Sequence, residues 1–79
     1  MKREEILESL QEIFRDVFGD NGLTISEATG TVDIEGWDSL KQISILEAVQ
    51  DDFNVRFSLE EMIELKDVKK ITDAIISHQ

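Results

Sequence analysis

The sequence contains no cysteine. That removes a disulfide framework, a thiolate nucleophile and a Cys-based zinc site together, and it agrees with a reducing compartment. Proline is also absent, and no repeat or low-complexity stretch marks a linker. No apolar run approaches the about 18 residues of a membrane span. Basic residues are scarce: 8 Lys and Arg stand against 18 Asp and Glu, for a net charge of −10. A chain this acidic is repelled by nucleic acid and by anionic membranes, so neither is expected as a partner. A basic protein surface would attract it, although the same charge also serves solubility.

What is present is enough for one small domain over residues 1–79, with a modest stability margin. A hydrophobic content of 41% is too high for a disordered acidic tail. The opening "MKREEILESL" has an amphipathic helical pattern rather than the apolar core of a signal peptide, and its acids argue against a transit peptide. The expected location is cytoplasmic.

Ile6, Leu7, Leu10, Ile13, Phe14 and Val17 fall on one helical face, and Gly19 follows where a helix C-terminus favours glycine. A first helix is predicted over 2–18. Residues 19–37 read as a long loop, with Leu23, Ile25, Val32 and Ile34 as its anchors to the core. Alternation within it is too short to define a strand. Loops this long in small domains are often functional. A second helix starts at Asp38 or Ser39 and runs to about Phe53. A short third helix is announced by a Ser58–Glu61 capping box, with Phe57 and Met62 placed as a hydrophobic staple. The last helix follows Asp67 as its N-cap and carries Val68, Ile71 and Ile75. The predicted fold is all-α: a small four-helix bundle of three main helices and one short third helix.

Stepping 100° per residue, Ile43, Ile45, Leu46, Val49 and Phe53 lie on one arc of the second helix, the predicted core side. Leu40, Ser44, Glu47 and Asp51 lie opposite, which leaves Leu40 as a large apolar residue outside the core stripe. Ser39 with Gln42 matches a capping box, and Asp38 is an equally good cap. A serine nucleophile needs a base, usually histidine held by a carboxylate. The one histidine is His78, expected to fray at the chain end. There is no Gly-x-Ser-x-Gly elbow, and Gln42 stands where Ser-x-x-Lys would need lysine. These absences argue against a hydrolase; a reactive Ser39 would have to be activated by another enzyme. No metal site emerges either. With Gly22 as the obligatory glycine of a calcium loop, the end ligands are Val17 and Ala28; with Gly36 they are Thr31 and Gln42.

Gly36-Trp37-Asp38-Ser39-Leu40, after a long loop and before a helix ending Glu47-Ala48-Val49-Gln50-Asp51-Asp52-Phe53, resembles the acyl carrier proteins. Their hallmark is Asp-Ser-Leu at the start of the second helix. The resemblance covers essentially the whole chain, including its acidity and the Phe-Ser-Leu-Glu-Glu turn into the short third helix. It implies a carrier, not an enzyme, with 4′-phosphopantetheine attached covalently at Ser39. The Ser39 hydroxyl would attack the pyrophosphate of coenzyme A on a separate phosphopantetheinyl transferase with Mg²⁺. Acyl groups would then ride as thioesters on the arm's thiol, which also accounts for the missing cysteine. Asp38 would orient the serine or help to hold the transferase's metal. Leu40 would be an apolar contact for partners, extended by Ser44, Glu47, Ala48 and Asp51.

Some residues depart from the carriers of fatty acid synthesis. Lys41 stands where they usually have an acid, and Ser44 and Gln50 are neutral in a helix that is generally more acidic. Glu47 occupies a place that is commonly apolar. Trp37 is more typical of stand-alone carriers in specialised pathways and of peptidyl-type carriers. Acids are displaced partly to Glu60, Glu61 and Glu64 of the third helix, so the partner-facing charge is expected there; Lys41 is counted with Leu40 among the partner-facing residues. The expected partners are a loading ligase for acyl or aminoacyl groups and acyl-transferring or condensing enzymes, served by a monomer. A chain sequestered between the helices would lie among Leu46, Val49, Met62 and Ile63, which serve equally as plain core. The competing reading is an unmodified acidic helical adaptor that binds basic proteins non-covalently.

Overall fold

Four helices and one 3-10 turn are described by a computed structural model covering residues 2–79. Helix α1 is Arg3–Phe18, α2 is Ser39–Phe53, α3 is Leu59–Glu64 and α4 is Val68–Ser77. The turn at Thr31–Asp33 interrupts the long first connection. The described residues include no strand, only an isolated antiparallel bridge between Gly30 and Asp67.

Each helix ends for a local reason. Glu4 and Glu5 in the first turn of α1 and Arg15 in its last turn complement the helix dipole. Gly19 then takes the left-handed conformation (φ +62°), and its N–H caps the Arg15 carbonyl. Asn54 ends α2 in the same way at φ +53°. The predicted capping box forms at α3: Ser58 Oγ accepts from the Glu61 N–H at 3.1 Å, and Glu61 Oε1 accepts from the Ser58 N–H at 3.0 Å. Asp67 caps α4, accepting from the Lys70 N–H at 2.7 Å.

The core collects one stripe from each main helix. Ile6, Leu10 and Phe14 of α1 meet Ile45, Leu46 and Val49 of α2, with Val68, Ile71 and Ile75 of α4, all fully buried. Burying each such side chain stabilises the fold by about 1.5–3 kcal/mol relative to leaving it in water. Thr72 is buried on the same face, and its hydroxyl donates to the Val68 carbonyl at 2.8 Å, which satisfies it.

The loop between α1 and α2 is held at many points. Arg15 Nε donates to the Leu23 carbonyl at 2.8 Å, and Gln11 Oε1 accepts from the Ile25 N–H at 3.0 Å. Arg3 pairs with Glu27 and with Asp73 of α4. Thr31 N–H donates to the Lys66 carbonyl and Val68 N–H to the Thr29 carbonyl, so the loop is tied to the α3–α4 connection. Leu23, Ile25 and Ile34 pack against the core as expected. Val32 does not: it is 96% exposed, because the 3-10 turn rotates it outward.

Two further expectations are corrected. Ile43 was placed on the core arc, yet it is 43% exposed. The arc is wider than the face that α1 and α4 cover, and the six-residue α3 leaves that edge open. His78 is not loose: its N–H caps carbonyls of α4, its Nε2 lies 2.8 Å from Glu61 Oε2, and its ring stacks edge-on against Phe57.

Candidate functional site

The approach to α2 is a short rigid staircase. Gly36 adopts φ +88°, a conformation in which an L side chain is strained. Trp37 then drops into the core, where its ring meets Phe14 edge-on at 5.2 Å between centroids. Asp38 follows in extended backbone and caps the helix: its Oδ1 accepts from the Lys41 N–H at 3.0 Å, and its carbonyl accepts from the Gln42 N–H at 2.9 Å. The choice between Asp38 and Ser39 as cap is thus resolved in favour of Asp38.

Ser39 is the first residue of α2 and is exposed. Its hydroxyl makes no hydrogen bond with any described residue, and neither do the N–H groups of Ser39 and Leu40. These donors sit at the positive end of a 15-residue helix, an arrangement that favours a phosphate. The residues present therefore fit a phosphodiester at this place: a free hydroxyl to carry it and unpaired backbone donors to face it.

Beside Ser39 lies a groove of about 380 Å³ between α2 and α3. Thr31, Trp37, Asp38, Gln42, Ile43, Leu59, Met62, Ile63 and Lys66 complete its lining, which contains no histidine. Its outer rim is apolar and exposed at Ile43, Leu59 and Ile63, with Leu40 nearby in sequence and 75% exposed. Met62 and Ile63, expected to border a sequestered chain, do line it. Leu46 and Val49 do not: they are sealed in the core. No group of His, Cys, Asp and Glu suited to a metal occurs among the described residues.

Gln42 is the residue that sequence reasoning undervalued, since its one structural role there is that of a capping partner. It is buried, and its amide joins three pieces of chain. Oε1 accepts from the Trp37 indole Nε1 at 2.7 Å, while Nε2 donates to the Met62 carbonyl at 3.0 Å and to the Leu65 carbonyl. The available signal was its spacing: Gln42 falls three, four and seven residues before Ile45, Leu46 and Val49, so a polar side chain stood on the core stripe.

The residues expected to meet partners are placed unequally. Ser44, Glu47, Asp51 and Glu60 are exposed on α2 and α3. Ala48 is half-buried and packs against the core. Lys41 is folded back: its Nζ donates to the Val17 carbonyl at 3.2 Å and lies 5.9 Å from the centre of the Phe18 ring. Glu61 is engaged by Ser58 and His78, and the His78 bond, followed by the Ser58 bond, holds its carboxyl below the ordinary glutamate value.

Comparison with known proteins agrees with this geometry. The family model described as "Phosphopantetheine attachment site" matches residues 8–75. The chain belongs to that family, the acyl carrier proteins, and its cofactor is covalently held 4′-phosphopantetheine. Among solved structures it is similar to the solution NMR structure of a holo acyl carrier protein from Geobacter metallireducens, with a TM-score of 0.81 at 30% identity. The likeness covers 91% of this chain and 83% of that one. No curated protein matches the sequence significantly.

Proposed function

We propose that residues 1–79 form a single acyl carrier domain, modified at Ser39 and working among cytoplasmic enzymes as a carrier rather than a catalyst. The observation that carries the assignment to Ser39 is its free hydroxyl at the start of α2, beside the groove, with capping already performed by Asp38. Ser39 can be converted to a phosphodiester without loss of a bond that the fold uses. The N–H groups of Ser39 and Leu40 then face the new negative charge. Asp38 holds the first turn in place and keeps one carboxylate oxygen without a protein partner, which a transferase or its metal can engage. When bound, the cofactor supplies a thiol on a long flexible arm that carries acyl or aminoacyl groups as thioesters.

Among the described residues no side chain accepts the Ser39 hydroxyl proton, so a phosphopantetheinyl transferase supplies the base. Leu40 is the apolar contact beside the attachment point, and Ser44, Glu47 and Asp51 continue that face along α2. Glu60 and Glu64 are the exposed acids of α3. Loading ligases and acyl-transferring or condensing enzymes would read this surface. A specialised pathway, rather than housekeeping fatty acid synthesis, is supported by Trp37 before Asp38 and by Lys41 after Leu40.

Intact mass before and after incubation with coenzyme A, Mg²⁺ and a broad-specificity transferase tests the reading. The expected result is a gain of one phosphopantetheine group, abolished by Ser39→Ala, and slower loading of Leu40→Ala with its fold intact. No gain with several transferases would sink the carrier reading and leave an acidic adaptor.

A further inference from the structure

We propose that the Trp37–Gln42 hydrogen bond is a floor that limits the length of acyl chain the groove accepts, making Gln42 a specificity-determining residue. The proposal rests on attachment at Ser39 and deepens that reading. Ser39 stands at one side of the groove, so a chain on its arm reaches the groove by folding back. The walls are apolar at Ile43, Met62 and Ile63. Beneath them the lining changes character. The Gln42 amide is buried and fully used, by the Trp37 indole on one side and by the Met62 and Leu65 carbonyls on the other. No buried side-chain polar atom among the described residues lacks a partner.

Leu46 and Val49, one and two turns further along α2 from Gln42, and Val68 at the start of α4 are fully buried and outside the groove's lining. A chain that pushed into them would have to part Gln42 from its partners. Each buried polar group left unpaired costs more than one methylene recovers by burial, and Gln42 has three such partners. The groove above this floor measures about 380 Å³ and is open along its rim, so it covers the start of a chain rather than the whole of a long one. The class of cargo is therefore a short acyl chain, whose further carbons stay in water.

Trp37 is the sole tryptophan, so the clamp carries its own reporter. The experiment loads Ser39 with hydrolysis-resistant pantetheine analogues bearing butanoyl, octanoyl and dodecanoyl groups. It reads Tm against the unacylated holo protein, together with the NMR resonance of the Trp37 indole N–H. Each methylene that finds full cover raises Tm by up to about 3–6 °C. In the wild type the rise is expected to level off before dodecanoyl, with the indole resonance unmoved by that chain. In Gln42→Met, which keeps the volume but frees the floor, the rise continues through dodecanoyl. Trp37→Phe is the second variant, removing the donor while keeping an aromatic ring against Phe14; it should extend the rise in the same direction. A wild-type Tm that climbs steadily to dodecanoyl with displacement of the indole resonance would overturn the proposal. So would the same profile in the wild type and both variants. Failure of the mass gain at Ser39 would instead refute the attachment reading, and it shows before any chain is compared.

Discussion

The indole N–H of Trp37 and the side-chain carbonyl of Gln42 are 2.7 Å apart, which locks the loop before Ser39 to the helix after it. Because the same amide reaches Met62 and Leu65, the lock also sets where α3 lies. Replacing Gln42 by Ala leaves an indole donor and two carbonyls without their partner. Groups left dry in this way cost about 1–3 kcal/mol each, with part recovered as water fills the gap. Thermal and urea unfolding of Gln42→Ala should show a loss of roughly 2–4 kcal/mol, and a loss below about 0.5 kcal/mol would mean the network contributes little.

Asp38 and Ser39 should separate cleanly in a stability assay. Asp38→Ala removes the N-cap and should cost about 1 kcal/mol, a Tm fall of about 4–8 °C for a domain of this size. Ser39→Ala removes a hydroxyl that bonds nothing in the fold and should stay within about 0.5 kcal/mol of the wild type. If the two variants lost equal stability, the capping assignment would be wrong.

Lys41 should behave as a structural cation. Its ammonium meets the C-terminal end of α1 at Val17 and the face of Phe18, contacts worth together on the order of 1 kcal/mol. Lys41→Met should therefore lower stability at low salt, and the gap to the wild type should narrow as salt screens the charge. A gap that is absent at low salt would show that the ammonium is not held.

Glu61 predicts a pH dependence. The bonds from His78 and Ser58 lower its pKa in the folded state. Between the lowered value and the unfolded value the unfolded chain binds more protons, so the Glu61 contribution is present above the ordinary glutamate range and is lost as pH falls through the folded value. Asp73, held down first by Lys69 and then by Arg3, acts in the same direction below the ordinary aspartate range. Melting curves of the wild type and Glu61→Gln should differ most near neutrality and converge in acid. Curves separated equally at all pH values would contradict the linkage.

The parts of the fold that were legible in sequence are those governed by local chemistry. Ser58 with Glu61 and Asp67 before Val68 are caps whose bonds form within one turn, and they appear where they were placed. The residues misplaced are those whose environment comes from elsewhere in the chain. Ile43 has the helical angle of a core residue, but its exposure depends on the shortness of α3. Val32 has the composition of an anchor, but a 3-10 turn decides where it faces. His78 sits at a chain end, and only the approach of Glu61 and Phe57 holds it. At the site, Asp-Ser-Leu was visible as a motif, whereas the assignment of capping to Asp38, which frees Ser39, needed the backbone. Gln42 was hidden because one residue type serves both as a helix-start acceptor and as a buried bridge.

The pairing of Thr29 and Thr31 with Lys66 and Val68 joins segments nearly half the chain apart. Contacts so distant in sequence delay folding, because the intervening chain must be ordered before they form. Within an otherwise local helical protein, the long loop should be the last part to settle, after α2 has brought the α3–α4 connection into place.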